Sequence, residues 1–476
     1  MADQPNIWNG ALLEGQPDTW HGYTIDVPYD AAFNAPGMPD EYYAMIVDLL
    51  QLWQAKLPGN RLRMRYYNGK NVLKDFGISI PPQLLNVQTV VGWPQKAVDE
   101  MAVRSRFDGF TATDENVQRD LDALVMRAAL KRKYRMGVQS ELIHSCCFAT
   151  VGMSPDGVSV DLFSAEDGAA RWDDAKGRIA YGMVITRYRD GRPAQLRLYT
   201  DYAMVEATDT GFGFWEWAVE PYIMGRPAMD AFSYRPTYDK PFGQSRVTKA
   251  VMSITDSAVR EALRTEISAE FFTSPQKYLL GADADAFENT TKWEAYIGNI
   301  FAVGRDENGD MPAFGQLSQG SMQPHTEYFR ALAARFAGET NVPISTLGVI
   351  HDNPSSAEAI YAASEPLIIE CEDLNDGNRD TLYSVACMAM AAERDIPLDA
   401  LTAAERDFTP NFRNPAMPSV VSQADAMIKV ASVVPGFAGT DTFFEQIGFA
   451  EDVRRKVRNE VQRNTANDAL MAILEA

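Results

Sequence analysis

Gln244 to Ser274 read QSRVTKAVMSITDSAVREALRTEISAEFFTS, 31 residues without glycine or proline between Gly243 and Pro275. Val247, Val251, Ile254 and Ala258 recur at helical spacing, so the stretch predicts one long helix, about 40 Å at ~1.5 Å per residue. Its basic residues Arg246, Lys249, Arg260 and Arg264 are matched by Asp256, Glu261, Glu266 and Glu270. That balance suits either a helix held against charged neighbours or a solvated one with i,i+4 pairs such as Asp256 and Arg260.

Upstream of this rod, Pro39-Asp40-Glu41 opens a helix that reads to Lys56 and stops at Pro58-Gly59, with a basic, aromatic stretch from Arg61 to Tyr67 after it. Trp93-Pro94 starts a helix toward Arg106. Asp114 to Tyr134 reads as a third, with Arg127, Lys131, Arg132, Lys133 and Arg135 at its favourable C-terminal end. From Phe148 to Tyr234 short β-rich runs replace helical spacing: Val158 to Leu162, Gly182 to Tyr188, Gln195 to Tyr199 and Phe214 to Val219. Asp156-Gly157 and Asp190-Gly191 supply turn signals, so the region is antiparallel.

Downstream, Lys277 to Leu280, Asn299 to Val303 and Ala313 to Leu317 read as strands, the last two joined through Asn308-Gly309. A helix follows from His325 to Ala337, then a loop from Asn341 to Pro354. Ser355 and Glu358 have capping-box spacing at the head of a long helix toward Glu393, which Pro366 must kink or interrupt. The chain after Pro397 reads as mostly helical. The predicted class is α+β, mainly helical.

The 476 residues carry a net charge of −21, which argues against a surface that grips nucleic acid throughout, since phosphate affinity comes from Lys and Arg. Cys146, Cys147, Cys371 and Cys387 are too few and too irregular for a disulfide framework or a zinc site, so they read as buried thiols in a reducing compartment. No secretory signal and no apolar run of about 18 residues is present, which predicts a soluble chain without a membrane contact.

Catalytic signatures are missing. Asn68-Gly69-Lys70-Asn71 lacks the earlier glycine and the hydroxyl of a phosphate loop. His21, His144, His325 and His351 show no metal-ligand spacing, and His144 beside Cys146 and Cys147 is a poor geometry for a nucleophile and its base. No catalytic residue, metal or cofactor is therefore predicted. One charge feature stands out: between Arg335 and Arg379 lie Glu339, Asp352, Glu358, Glu365, Glu370, Glu372, Asp373 and Asp376, with no Lys or Arg. Such a segment is either a solvated acidic face or a wall that must not stick to a polyanion.

Tyr66-Tyr67-Asn68-Gly69, Val90-Val91-Gly92-Trp93-Pro94 leading to Ala97-Val98-Asp99, Phe242-Gly243-Gln244-Ser245-Arg246, and Ser355-Ser356-Ala357-Glu358-Ala359-Ile360 followed by Glu365-Pro366-Leu367 occur in this order. In that order and spacing the sequence resembles the portal, or head-to-tail connector, proteins of tailed double-stranded-DNA bacteriophages, of the siphophage type, over nearly its whole length. The resemblance implies a wing over residues 1–242, a stem helix over 243–272, an α/β clip over 273–323 and a second stem helix over 324–340. A tunnel loop over 341–355, a long kinked helix over 356–393 and a C-terminal wing and helical crown over 394–476 complete it.

It further implies a ring of twelve at one capsid vertex of the virion, assembled in the host bacterial cytoplasm, that conducts DNA inward and outward. Its partners would be the terminase large subunit, the major capsid protein, a scaffold, neck adaptor proteins and DNA passing non-specifically. Asp352, His351, Asn353 and Ser355 would sit in the tunnel loop, Glu339, Glu358 and Glu365 on an acidic channel wall, and Asp306, Glu307 and Asp310 at the clip's partner contacts. Two other classes remain: a cytoplasmic hydrolase with an unrecognised carboxylate pair, and a capsid-associated scaffold that makes no ring.

Overall fold

The computed structural model describes residues 32–70, 89–155, 157–273, 277–280, 313–316, 321–348, 357–416, 420–449, 453–461 and 463. Helix α1, Asp40–Tyr67, carries Pro58 inside it and does not stop at Pro58-Gly59. Its second half is held by partners distant in sequence. Asn60 Nδ2 donates to Ala165 O at 3.0 Å, Arg63 Nη1 to His144 O at 3.2 Å, and Tyr66 OH to Asp256 Oδ2 at 2.9 Å. These anchors outweigh the one amide that proline removes.

Helix α2 spans Trp93–Arg104 and strand β1 Phe107–Ala112. The single helix expected from Asp114 to Tyr134 is two, α3 at Glu115–Arg127 and α4 at Leu130–His144, separated at Ala129 with φ of 49°. The break turns Leu130, Tyr134 and Val138 into the core alongside Leu121 and Leu124, which one straight helix would not do. It also moves Lys131 and Lys133 from a helix end to a helix start, where the macrodipole disfavours them. Compensation comes from outside the helix: Lys131 Nζ lies 3.6 Å from Asp108, and Lys133 Nζ 2.7 Å from Asp161.

Strands β2 (Cys146–Ser154), β3 (Gly157–Ser164) and β9 (Met229–Ser233) form an antiparallel sheet in the order β3-β2-β9. Strands β4 (Gly168–Asp173), β5 (Arg178–Arg189), β6 (Arg192–Tyr199), β7 (Ala203–Asp209) and β8 (Trp215–Pro221) follow one another in a second, five-stranded meander. The turn at Asp190-Gly191 has positive φ at both residues, 49° and 72°, as a tight hairpin between β5 and β6 requires. One face of the meander, with Met183, Ile185, Leu196, Leu198 and Val205, closes over Ile46, Leu49, Leu50 and Trp53 of α1.

The long rod is α5, Lys249–Thr273. Strands β10 (Lys277–Leu280) and β11 (Ala313–Gln316) pair antiparallel, so Ala313 onward takes 277–280 as its partner; the expected strand 299–303 and the Asn308-Gly309 turn lie outside the described residues. Helix α6 is Gln323–Thr340, and α7, Ala357–Arg394, stays helical through Pro366. Ser355, the expected capping residue of α7, lies outside the described residues. After α7 come a short helix α8 (Ala403–Arg406), strand β12 (Phe408–Phe412) and helices α9 (Val420–Val433) and α10 (Asp441–Gln446). The C-terminal part is thus not purely helical: β12 pairs antiparallel with β1 and ties it to the first quarter of the chain. The observed class, helices and antiparallel sheets in one chain, is α+β and mainly helical. Among the described residues no helix is long and apolar enough to cross a membrane.

Where α2, α4 and α7 meet, polar groups are buried together. Ser105 Oγ lies 2.7 Å from Tyr134 OH and donates to Asn375 Oδ1 at 2.6 Å, while Asn378 Nδ2 donates to Tyr134 OH and to Glu141 Oε2, each at 2.9 Å. Burial pushes the Glu141 carboxyl up to about 8, against the opposing hydrogen bond from Asn378. The group is protonated in the fold at neutral pH and ionises on unfolding. The folded chain therefore binds more protons between pH 4.5 and about 8, and stability falls as pH rises through that window, by at most about 1.4 kcal/mol per unit. Glu141→Gln keeps the neutral shape and removes the ionisation. It should melt several degrees above the parent protein at pH 8 and level with it near pH 4, measured by circular dichroism across pH.

Candidate functional site

The segment before α5 is not helical: the rod begins at Lys249, six residues after Gly243. Its groups are committed elsewhere. Arg246 N donates to Leu142 O at 2.8 Å, Ser245 Oγ to Ile143 O at 2.5 Å, and Gln244 N to Tyr234 O at 2.7 Å. Thr248 then caps the helix, accepting from Val251 N at 3.1 Å. Gly243 has φ of 73°, and a Cβ there would lie 2.2 Å from Tyr234 O, so only glycine lets the chain pass β9 this closely.

Arg246, 4% exposed, is the centre of what this segment builds. Its Nε donates to Ala97 O in α2 at 2.7 Å, its Nη1 to Tyr234 OH at 2.8 Å and to Glu370 Oε1 in α7 at 2.7 Å, and its Nη2 to Thr340 O at the end of α6. Tyr234 OH also donates to Glu370 Oε1. Arg235 Nη2 reaches the same oxygen at 2.9 Å, and Asn341 Nδ2 donates to Glu370 Oε2 at 3.3 Å. Burial works against the charge on Glu370, but Arg246 beside it, the hydrogen bonds from Arg246 and Tyr234, and Arg235 outweigh it and hold the carboxyl below its ordinary range. Burial, with Glu370 adding to it against the pull of Arg246, pushes the Tyr234 phenol up to about 12. One guanidinium thereby fixes the start of α5, the end of α6, α2 and α7 at one point.

Along the rod the apolar residues Val251, Ile254, Ala258 and Val259 of α5 share a core with Leu332, Ala333 and Phe336 of α6, and Trp93 stacks at tilted angles on Phe329 and Phe336 at 5.1 and 5.4 Å. Farther along, His325 Nδ1 lies 2.7 Å from Glu261 Oε1 and its Nε2 3.1 Å from Ser268 Oγ. The two antiparallel-connected rods are thus pinned by a polar contact at each end of an apolar seam. His325, unassigned from sequence, belongs to this seam.

The loop after α6 is rooted rather than loose. Asn341 takes φ of 55°, Val342 and Leu347 are buried, and a 3-10 turn at Ile344–Leu347 ends at Gly348 with φ of 81°. Asp352, His351, Asn353 and Ser355 lie outside the described residues, as do Asp306, Glu307 and Asp310. Glu339 and Glu365 are exposed, and Glu358 is in the first turn of α7. The acid-only segment is not one surface, however, because Glu370 in its middle is buried against Arg246.

The nucleophile reading fails on chemistry. Burial pushes the Cys146 thiol up to about 12 and raises Cys147 well above its ordinary value. Burial, with Arg63 adding to it, drives His144 down to about 3. A neutral imidazole makes no ion pair with Glu166 Oε1 at 3.8 Å, and a thiol held protonated is no nucleophile. All four cysteines are free and buried. Among the described residues no cluster of His, Cys, Asp and Glu could hold a metal ion.

No family model matches the chain. Over 421 residues it is 24% identical to the portal protein of Mycobacterium phage D29, covering 84% of each chain. Over 428 residues it is 24% identical to the portal protein of Mycobacterium phage L5, covering 86% of this chain and 85% of that one. The chain resembles phage portal proteins. The motif order read from the sequence led to the same family. Among solved structures it is similar to a chain in the neck of a native gene transfer agent particle, with a TM-score of 0.40, 12% identity and coverage of 78% of this chain and 94% of that one. A chain in the virion of a native gene transfer agent particle gives a TM-score of 0.42, 14% identity and coverage of 82% and 93%.

The Arg246 node makes a stability prediction. Arg246→Met takes the buried cation from Glu370, which keeps Tyr234, Asn341 and the more exposed Arg235, and leaves Thr340 O without this donor; it should cost about 3–5 kcal/mol. Adding Glu370→Leu removes the charge that has lost its buried partner and should recover part of the loss. Urea unfolding of both variants against the parent protein checks the order.

Proposed function

We propose that this chain is a portal subunit: a ring of twelve at one vertex of a phage capsid, the channel for DNA packaging and ejection, and the docking site for the terminase large subunit and then the neck adaptor proteins. The observation that carries this reading is the match to two mycobacteriophage portal proteins over most of each chain. The major capsid protein and a scaffold surround the ring, and double-stranded DNA passes through without sequence recognition. Its place is the virion, with assembly in the host bacterial cytoplasm. The function is mechanical, and no residue is given a catalytic role.

On this reading residues 1–242 form the wing, 243–272 and 324–340 the stem, 273–323 the clip, 341–355 the tunnel loop, 356–393 the long helix and 394–476 the outer wing and crown. The two rods meeting at Arg246 support the stem, since a channel wall under load needs helices whose ends cannot slide. Asp306, Glu307 and Asp310 are the clip's contacts to the packaging motor and neck. Glu339, Glu358 and Glu365 line the wall, and Asp352, His351, Asn353 and Ser355 approach the DNA. The tunnel-loop residues include no Lys or Arg, which favours passage over capture.

Native mass spectrometry of the purified chain should give particles near twelve times the monomer mass; a stable monomer or dimer under every assembly condition overturns the reading. Asp352→Lys in every subunit would ring the channel with positive charge. Rings should still form, while DNA passage slows at low salt and recovers as salt rises. Unchanged packaging at low salt would remove the loop from the DNA path.

A further inference from the structure

Ser268, His325 and Glu261 do more than pin two helices together, because they stand in the order hydroxyl, imidazole, carboxylate. Glu261 and Ser268 are two turns apart on one face of α5. His325, the third residue of α6, places its ring between them, with Nδ1 2.7 Å from Glu261 Oε1 and Nε2 3.1 Å from Ser268 Oγ. Thr265, one turn from Glu261, does not compete for the ring: its hydroxyl donates to Glu261 O of its own helix at 2.8 Å.

The carboxylate sets the direction of this chain of bonds. Glu261 is 4% exposed, and Arg264 Nη1 lies 3.5 Å from its Oε2 while Oε1 faces the ring. A carboxylate only accepts, so the Nδ1 beside it carries the hydrogen, and a neutral ring then has its lone pair at Nε2. Ser268 Oγ must donate to that lone pair. A serine hydroxyl donating to an imidazole that an acid orients is the arrangement of an activated nucleophile, and both distances are within the reach a nucleophile and its base require. Unlike Cys146 and Cys147, which are sealed in the core, this set meets solvent, with the His325 side chain 26% exposed and Ser268 half-buried. The first turn of α6 adds the positive end of a helix dipole near the hydroxyl, where negative charge would develop.

We propose that Ser268 is an acyl-accepting nucleophile toward small activated esters, with His325 as its general base and Glu261 as the positioning residue that holds the ring. Ser268 Oγ adds to the ester carbonyl carbon as its proton passes to His325 Nε2. The bond from that carbon to the leaving oxygen breaks, and the leaving oxygen takes the proton from Nε2. Water then adds to the acyl-serine and gives a proton to the same nitrogen. The bond to Ser268 Oγ breaks, the carboxylic acid leaves and Oγ recovers its proton. This is a second activity, and it stands or falls apart from the ring reading above.

The full-length chain is incubated with 4-nitrophenyl acetate, nitrophenolate release is followed by absorbance, and its peptides are mapped by mass spectrometry. A burst of nitrophenolate and an acetyl group on Ser268 are expected. Ser268→Ala removes both and leaves the circular dichroism spectrum unchanged. His325→Ala slows acetylation of Ser268 by about a hundredfold, and added imidazole restores part of the rate, which a ring acting only as a pin would not allow. Glu261→Asp recovers part of what Glu261→Gln loses. Should the His325 or Glu261 variants fail to fold, Ser268→Ala, which removes a single oxygen, still decides. Acetyl groups on lysines alone, a burst unchanged in Ser268→Ala, or equal acetylation of Ser268 in the urea-unfolded chain overturns the proposal.

Discussion

A guanidinium at 4% exposure cannot shed its proton, so every donor it carries must find an acceptor, and Arg246 finds them on four separate parts of the chain. That requirement sets the geometry of the molecule's centre. The backbone ahead of α5 cannot be helical, because Ser245 and Arg246 bond to the last carbonyls of α4. Gly243 must stay a glycine because Tyr234 is pressed against it. Apolar packing alone would hold α5, α6 and α7 together with about the same strength but without a fixed register, since the hydrophobic effect has no direction. A buried ion pair contributes little net stability, and its use here is to select one arrangement of the start of α5 and the end of α6 against α2 and α7.

The node has a counterpart farther along α5 and α6. Glu261, His325 and Ser268 join α5 to the beginning of α6, and between these two polar contacts the shared core of the helices is built from Val251, Ile254, Ala258, Val259, Leu332, Ala333 and Phe336. Sliding one rod on the other would part His325 from the buried Glu261 at one end and Arg246 from Thr340 O at the other. The rods are therefore stiff as a pair, although neither has a long run of contacts to the sheets. The three-stranded sheet reaches the node through Tyr234 and Arg235, just past β9, so its displacement is felt at the root of the loop after Thr340.

Periodic segments were legible in the sequence: α1, α2, α5, α6 and α7 all begin within a few residues of where capping residues, prolines or apolar spacing put them. Long-range bonds explain the departures. Pro58 ends no helix because Asn60, Arg63 and Tyr66 are anchored on other elements. Ala129 carries no turn signature, and only the need to bury Leu130 and Tyr134 shows why the helix breaks there. Strand β12 is five residues with a proline, readable as an edge strand only once its partner β1 is known. Arg246 and Glu370 were visible as charges but not as a pair, being 124 residues apart. An acid set among apolar neighbours, as in Ile368-Ile369-Glu370-Cys371, is the signal that could have marked Glu370 as buried.

The same charge changes what the acid-only segment means. If all eight carboxylates faced outward, the segment would be a uniform negative surface; with Glu370 neutralised by Arg246 and Arg235, the other α7 charges divide between an arm, the first turns of α7 before it with Glu358 and Glu365, and the exposed Glu372, Asp373 and Asp376 after it. Under the proposed reading this division is useful. Repulsion between a carboxylate ring and a phosphate backbone falls off over about 8 Å at physiological salt, so only charges close to the lumen act on passing DNA. Those on the arm would do so, whereas those beyond Glu370 lie past the node on the body of the subunit. On that reading the buried pair marks the boundary between the part of α7 that would meet the channel and the part that packs on the three-stranded sheet. The proline at 366, just ahead of that boundary, stands where the helix passes from an exposed arm to a buried rod.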